Sequence, residues 1–238
     1  MNAPPAAPAR VPDAPMVPPP GDPHRRALAW AHTARFVASA ARLDQLPAPS
    51  LPEIAFVGRS NAGKSTAINA LAQHKRLAFA SRTPGRTQLI NLFAVGPKDA
   101  PEAMFSDLPG YGYAAVARSA KLAWQEVMAD YLAQRPTLAG VVLLADSRLG
   151  LTELDQRLLD FVAPRVADGR VRLLVLLTKA DKLSRREAQQ ALAAAQAVLA
   201  DVATEASDVG VTLFSALSRQ GVGDVAAVLH EWATGLSA

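Results

Sequence analysis

The sequence predicts an α/β fold, a mostly parallel six-stranded sheet flanked by helices on both faces. Three observations carry that prediction. Short apolar runs alternate with longer stretches of helical periodicity. A glycine-rich loop joins the first of these runs to a helix, and a Thr-Lys-Ala-Asp turn follows directly on a later run. Ligands of open α/β sheets bind at the carboxyl ends of parallel strands. Both loops fall where a site belongs.

Taken in order, the strands are predicted over 53–57, 89–95, 103–106, 141–145, 171–177 and 211–214. Helices are predicted over 64–73, 118–134, 153–166, 185–202 and 222–234. Two helix starts are announced by capping boxes, Thr152 with Asp155 and Ser184 with Glu187. Ahead of these elements, 25–46 reads as a lead-in with a short helix and an edge strand. Nine of the eighteen prolines lie in the first 23 residues. Such a segment buries too little apolar surface to offset its ordering entropy, so residues 1–24 read as a disordered Pro/Ala-rich tail. A basic docking arm is the alternative, though the segment holds only Arg10 ahead of Arg25 and Arg26. Residues 25–238 then form one domain with its core at about 51–234, and no internal repeat is visible.

The bulk properties narrow the function. Half of the residues are hydrophobic, enough for a sizeable core, and there is no cysteine, which excludes disulfides and thiolate metal sites. The longest apolar runs, 139–145 and 173–177, fall far short of the ~18 residues that a membrane span needs. No apolar segment follows the initiator methionine as a signal peptide requires, so a cytoplasmic location is expected. A net charge of +4 and a pI near 9.7 point to an acidic partner, nucleic acid first.

The loop after the first strand reads Gly58-Arg59-Ser60-Asn61-Ala62-Gly63-Lys64-Ser65 and opens a helix. This is the G-x-x-x-x-G-K-S pattern of the P-loop nucleoside triphosphatases in its required context. Glycines let the backbone wrap closely, so that successive N–H groups face phosphate oxygens, and the helix N-terminus adds its dipole. Lys64 is expected to reach the β- and γ-phosphates and the Ser65 hydroxyl to ligate Mg²⁺. The base is read further on. In Thr178-Lys179-Ala180-Asp181 the carboxylate accepts from the ring N–H and exocyclic amine of guanine, two charge-assisted bonds. Adenine offers a lone pair there instead, a mismatch that rejects analogues strongly. The Lys179 stem can lie against the base. Phe214-Ser215-Ala216, at the end of the next strand, offers a backbone N–H to the guanine carbonyl.

Between these two motifs lie elements suited to sensing the γ-phosphate. Asp107-Leu108-Pro109-Gly110 ends a strand; Asp107 can hold Mg²⁺ through water and the Gly110 N–H can touch the γ-phosphate. Upstream, Gly85-Arg86-Thr87-Gln88-Leu89 closes a loop in which Thr87 is the candidate second Mg²⁺ ligand. Tyr111 stands after Gly110, where many signalling GTPases place a glutamine to orient water. Intrinsic hydrolysis is therefore expected to be slow. Arg82, Arg86 or Arg118 could supply transition-state charge, an effect worth about 10³–10⁵ in rate; a solvated or RNA-contacting role is the alternative. Asn61 is a candidate to help hold K⁺ beside the phosphates.

The strings GRSNAGKST, TPGRTQ, DLPGYGYA, TKADKL and FSA, with the lead-in ARFVASAARLDQLP, resemble the EngB/YihA/YsxC family of bacterial ribosome-biogenesis GTPases, in the TrmE-Era-EngA-EngB-septin-like class. The match runs over about 35–232. The resemblance implies a Ras-like G domain that binds GTP and GDP, hydrolyses GTP and acts in assembly of the large ribosomal subunit, with a link to cell division and septation. By position it carries the nucleotide site to residues 58–65, 85–89, 107–110, 178–181 and 214–216, with Lys64, Thr87 and Gly110 in catalysis and Ser65 and Thr87 on magnesium. The implied partner is the large subunit or its precursor, through rRNA, with a monomeric protein and neither DNA nor membrane involved. Ala216 stands where a second serine is frequent, which a backbone contact would not feel.

Several readings stay open at this level. Tyr111 and Tyr113 either stack on a ribosomal base or pack under the loop. Lys75, Arg76, Arg82, Arg86, Arg118 and Lys121 form either a solvated face or an rRNA-facing patch. A signalling GTPase acting through effectors is one rival function, and the absence of a C-terminal lipidation cysteine speaks against it. An RNA-binding module with a structural nucleotide site is the other.

Overall fold

The structure, a computed structural model, describes residues 22–78, 89–112 and 118–235, with the backbone alone over 118–125. The chain runs α1 (Pro23–Ala31), β1 (Arg35–Ala40), β2 (Glu53–Gly58), α2 (Lys64–Leu71), β3 (Ile90–Val95), β4 (Ala103–Asp107), α3 (Arg118–Gln134), β5 (Leu138–Asp146), α4 (Glu153–Ala167), β6 (Arg172–Thr178), α5 (Arg185–Ala200), β7 (Val209–Leu213) and α6 (Val222–Thr234). One sheet holds them in the order β1-β3-β4-β2-β5-β6-β7. The pairs β4–β2, β2–β5, β5–β6 and β6–β7 are parallel, whereas β1–β3 and β3–β4 are antiparallel.

The sheet therefore has seven strands, not the six predicted. The addition is the lead-in's expected edge strand, β1, which joins the sheet at its end by pairing with β3. The domain also begins earlier than residue 25. Pro23 occupies the first turn of α1, where its missing N–H costs nothing, and the Asp22 carboxylate accepts from the His24 N–H at 3.0 Å. Helix α2 stops two residues short of the expected end because Gln73 takes a left-handed conformation (φ 53°). Both capping boxes form.

The central strands bury both faces, which explains their unbroken apolar runs. All of β2 is buried, including Glu53. One core lies under α1, α2 and α6 around Trp30, Phe56, Phe105 and Trp232. The other lies under α3, α4 and α5 around Tyr131, Leu143, Leu159 and Val175. Gly140 makes the first of these possible, since a Cβ there would meet the Trp232 ring at 2.3 Å. Among the described residues no helix is long and apolar enough to cross a membrane.

Candidate nucleotide-binding site

The parallel strands β2, β4 and β6 end at one edge of the sheet, and the predicted motifs meet there. Gly58 closes β2 so tightly against β5 that a Cβ would lie 2.6 Å from the Leu144 carbonyl oxygen. The loop then turns through Asn61 (φ 67°) and Gly63 (φ 95°), both in the left-handed region, and delivers the chain into α2. Its internal bonds divide the N–H groups. Ser60 donates to the Tyr111 carbonyl at 2.8 Å and Ala62 to the Arg59 carbonyl at 3.0 Å. Among the described residues, the N–H groups of Asn61, Gly63, Lys64 and Ser65 find no acceptor. A loop with unpaired donors at a helix N-terminus is an anion cradle.

Lys64 and Asp107, twelve and five per cent exposed at their side chains, form an ion pair across this cradle. The cation expected at the phosphates and the carboxylate expected at magnesium are thus brought together. Leu108 is buried beneath the turn, and its N–H donates to the Phe56 carbonyl at 3.1 Å. Gly110 lies against the loop, where a Cβ would meet Ser60 at 3.3 Å. Leu89 is described and exposed; Gly85, Arg86, Thr87 and Gln88 lie outside the described residues, as do Arg82, Tyr113 and the side chains of Arg118 and Lys121.

The base-reading turn is fastened to the same loop. The buried Thr178 hydroxyl lies 2.6 Å from the Ala62 carbonyl oxygen and 3.0 Å from that of Ala145. Lys179, left-handed at φ 58°, donates through Nζ to the Asn61 carbonyl and to Asp146 Oδ2, each at 2.8 Å. Asp181 Oδ1 accepts from the Ser215 hydroxyl at 2.6 Å, and Lys182 Nζ stands 3.5 Å from Oδ2. The Ser215 hydroxyl is the main cause holding the Asp181 carboxyl below the usual carboxylate range, ahead of Lys182. Phe214 is buried and its N–H donates to the Leu177 carbonyl, while the Ser215 N–H donates to that of Gln220. Of the N–H groups in this segment, which is expected to offer one to the guanine carbonyl, only that of Ala216 has no partner among the described residues.

Comparison with known proteins agrees with this geometry. The family model described as 50S ribosome-binding GTPase matches residues 53–179. A probable GTP-binding protein EngB from Acidovorax ebreus is 57% identical over 87% of this chain and 91% of its own length. Its counterpart from Burkholderia thailandensis is 51% identical over 84% of this chain and 91% of its own. The chain belongs to the EngB family of GTP-binding proteins. Its GTPase domain makes it an enzyme, one that binds and hydrolyses GTP. Solved structures agree on the fold. That of a probable GTP-binding protein EngB has a TM-score of 0.54 at 17% identity, covering 76% of this chain and 97% of its own. That of Era with MgGDPNP and nucleotides of 16S ribosomal RNA has 0.56 at 19%, covering 76% and 56%.

This EngB-family site contains residues that the motifs alone did not disclose. Asp146, at the end of β5, accepts from both Arg148 (2.9 and 2.7 Å) and Lys179. Arg148 is the larger cause holding the Asp146 carboxyl far below its ordinary range, against an opposing effect of burial. The available signal was a carboxylate ending a buried strand. Tyr111, left open between stacking and packing, is five per cent exposed and belongs to the core under α4. Its ring is not offered to a ribosomal base. Behind the loop, Arg59, Asn61, Arg148 and Thr152 line a cavity of about 240 Å³.

Proposed function

We propose that this EngB-family GTPase binds GTP with Mg²⁺ in the cytoplasm and docks in that state on the large ribosomal subunit or its precursor. Hydrolysis then releases it, and the cycle serves normal cell division and septation. The observation that carries the reading is the coincidence of a GTPase site with a family whose model is described as 50S ribosome-binding. The net charge of +4 and the exposed Lys75 and Arg76 beyond α2 support a polyanionic partner.

The residues present fit magnesium. The Ser65 hydroxyl, in the first turn of α2, has no partner among the described residues, and Asp107 supplies a nearly buried carboxylate at the end of β4. Both are the hard oxygen donors that the ion takes. Bound there, Mg²⁺ would neutralise charge on the β- and γ-phosphates. Lys64 would exchange its Asp107 partner for those phosphates, and the base would lie between the Lys179 stem and the Asp181 carboxylate.

The test is sedimentation of cell extract with GTP, GDP or no nucleotide. GTP should hold the protein on large-subunit particles, and Lys64→Ala should abolish that retention. Equal retention in all three conditions, or full retention of Lys64→Ala, contradicts the switch and favours an RNA-binding module. Because Tyr111 cannot orient water as glutamine does, hydrolysis should be slow. With Asn61 holding K⁺ beside the phosphates, turnover should be faster in KCl than in NaCl. Equal rates remove that ion from the reading.

A further inference from the structure

We infer that Asp155 is a positioning residue for GTP hydrolysis: through Tyr111 it latches the Gly110 turn against the phosphate-binding loop. The inference rests on the reading that the Gly110 N–H meets the γ-phosphate.

Residue 111 is tied down twice. Its backbone bridges to the loop, with its N–H donating to the Gly58 carbonyl at 3.3 Å and its carbonyl accepting from Ser60 at 2.8 Å. Its phenol reaches away from the loop and donates to Asp155 Oδ1 at 2.6 Å. Burial, reinforced by the Asp155 charge, pushes the Tyr111 phenol well above its ordinary pKa, so it stays a donor.

Asp155 is one per cent exposed and, among the described residues, forms no ion pair. Its charge is satisfied by donors alone. Oδ2 accepts from the Thr152 N–H at 2.8 Å and from the Thr152 hydroxyl at 2.6 Å. Oδ1 is left for Tyr111. A capping box needs only the first oxygen, so the helix start does not explain the bond to Tyr111. If the turn moves, a carboxylate that is one per cent exposed loses one of its three donors, a cost above that of an ordinary neutral hydrogen bond. Helix α4 thereby holds a turn on the other side of the loop. Gly110 is adjacent to the latched residue, and a Cβ there would come within 3.3 Å of Ser60.

A tyrosine that merely satisfies its hydroxyl in the core would affect stability alone. A latch affects the difference between nucleotides, because GDP has no γ-phosphate for Gly110 to meet. The experiment compares Kd for GDP and for a slowly hydrolysed GTP analogue, together with single-turnover hydrolysis. It uses the full chain and its Tyr111→Phe, Asp155→Asn and Gly110→Ala variants. Tyr111→Phe should leave GDP within about twofold while weakening the GTP analogue about tenfold, with a slower chemical step. Asp155→Asn should move the ratio the same way, and the double variant should do little more than either single one. An unchanged ratio in Tyr111→Phe beside a reduced one in Gly110→Ala overturns the latch, even if melting temperature falls. An unchanged ratio in both overturns the γ-phosphate reading, and the inference with it.

Discussion

Replacing Asp181 with alanine should weaken GDP and GTP binding by about a hundredfold or more and leave ATP almost unaffected, since two charge-assisted bonds to guanine are lost. The structure sharpens this expectation. The Ser215 hydroxyl occupies one position on Oδ1, fixing the carboxylate and leaving its other lone pairs for the base. The same bond depresses the Asp181 pKa. A lowered pKa keeps the group charged through and somewhat below the usual carboxylate range. Guanine preference should therefore hold from neutral pH down to about pH 4 and fail only as pH drops through the depressed value. Ser215→Ala should bring that loss to higher pH. Titration of nucleotide affinity against pH checks both points, and a preference fading near pH 6 would exclude Asp181 as the group responsible.

Glu53→Ala should be the most damaging substitution away from the site. Its carboxylate, one per cent exposed at the start of β2, accepts from Arg135 Nε at 2.9 Å and from the Thr137 hydroxyl at 2.9 Å. The Tyr131 hydroxyl joins Glu53 to Ser106 on β4, and Arg135 Nη2 donates to the Pro47 carbonyl at 3.0 Å. Removing the carboxylate leaves the Arg135 guanidinium, seven per cent exposed, buried without a counter-ion. Breaking one side of a buried pair costs about 3–5 kcal/mol. For a domain of this size that lowers the melting temperature by about 10 °C. A Glu53→Leu, Arg135→Met double variant, which removes both charges, should recover much of the loss. Because Glu53 and Arg135 lie at the start of β2 and just ahead of β5, away from the strand ends that carry the nucleotide motifs, GDP affinity measured below the transition should stay close to that of the unaltered protein. A melting temperature unmoved in Glu53→Ala would show that the network contributes nothing.

The parts legible in the sequence are those whose meaning is local. The loop from Gly58 to Ser65 and the Thr178–Asp181 turn declare themselves because each lies on a few consecutive residues between recognisable elements. Strands β5 and β6 are equally plain, since burial on both faces writes an uninterrupted apolar run. Strand β1 was harder. Its pairing with β3 is remote along the chain, and its exposed Phe36 and Val37 break the apolar alternation. Remote pairing also hid Asp146, Asp155 and Glu53. Each acts through partners such as Lys179, Tyr111 and Arg135 that no spacing rule connects. Tyr111 shows the difference most clearly: its position after Gly110 fixed what it cannot do, whereas only its burial against α4 showed what it does.

The most direct test of the account is competition at equilibrium on the unaltered protein, with labelled GDP displaced by unlabelled GDP or ADP. A site built on Asp181 and the loop ending at Ser65 predicts displacement by GDP at concentrations at least a hundredfold below those needed for ADP. Displacement by both at similar concentrations would contradict it.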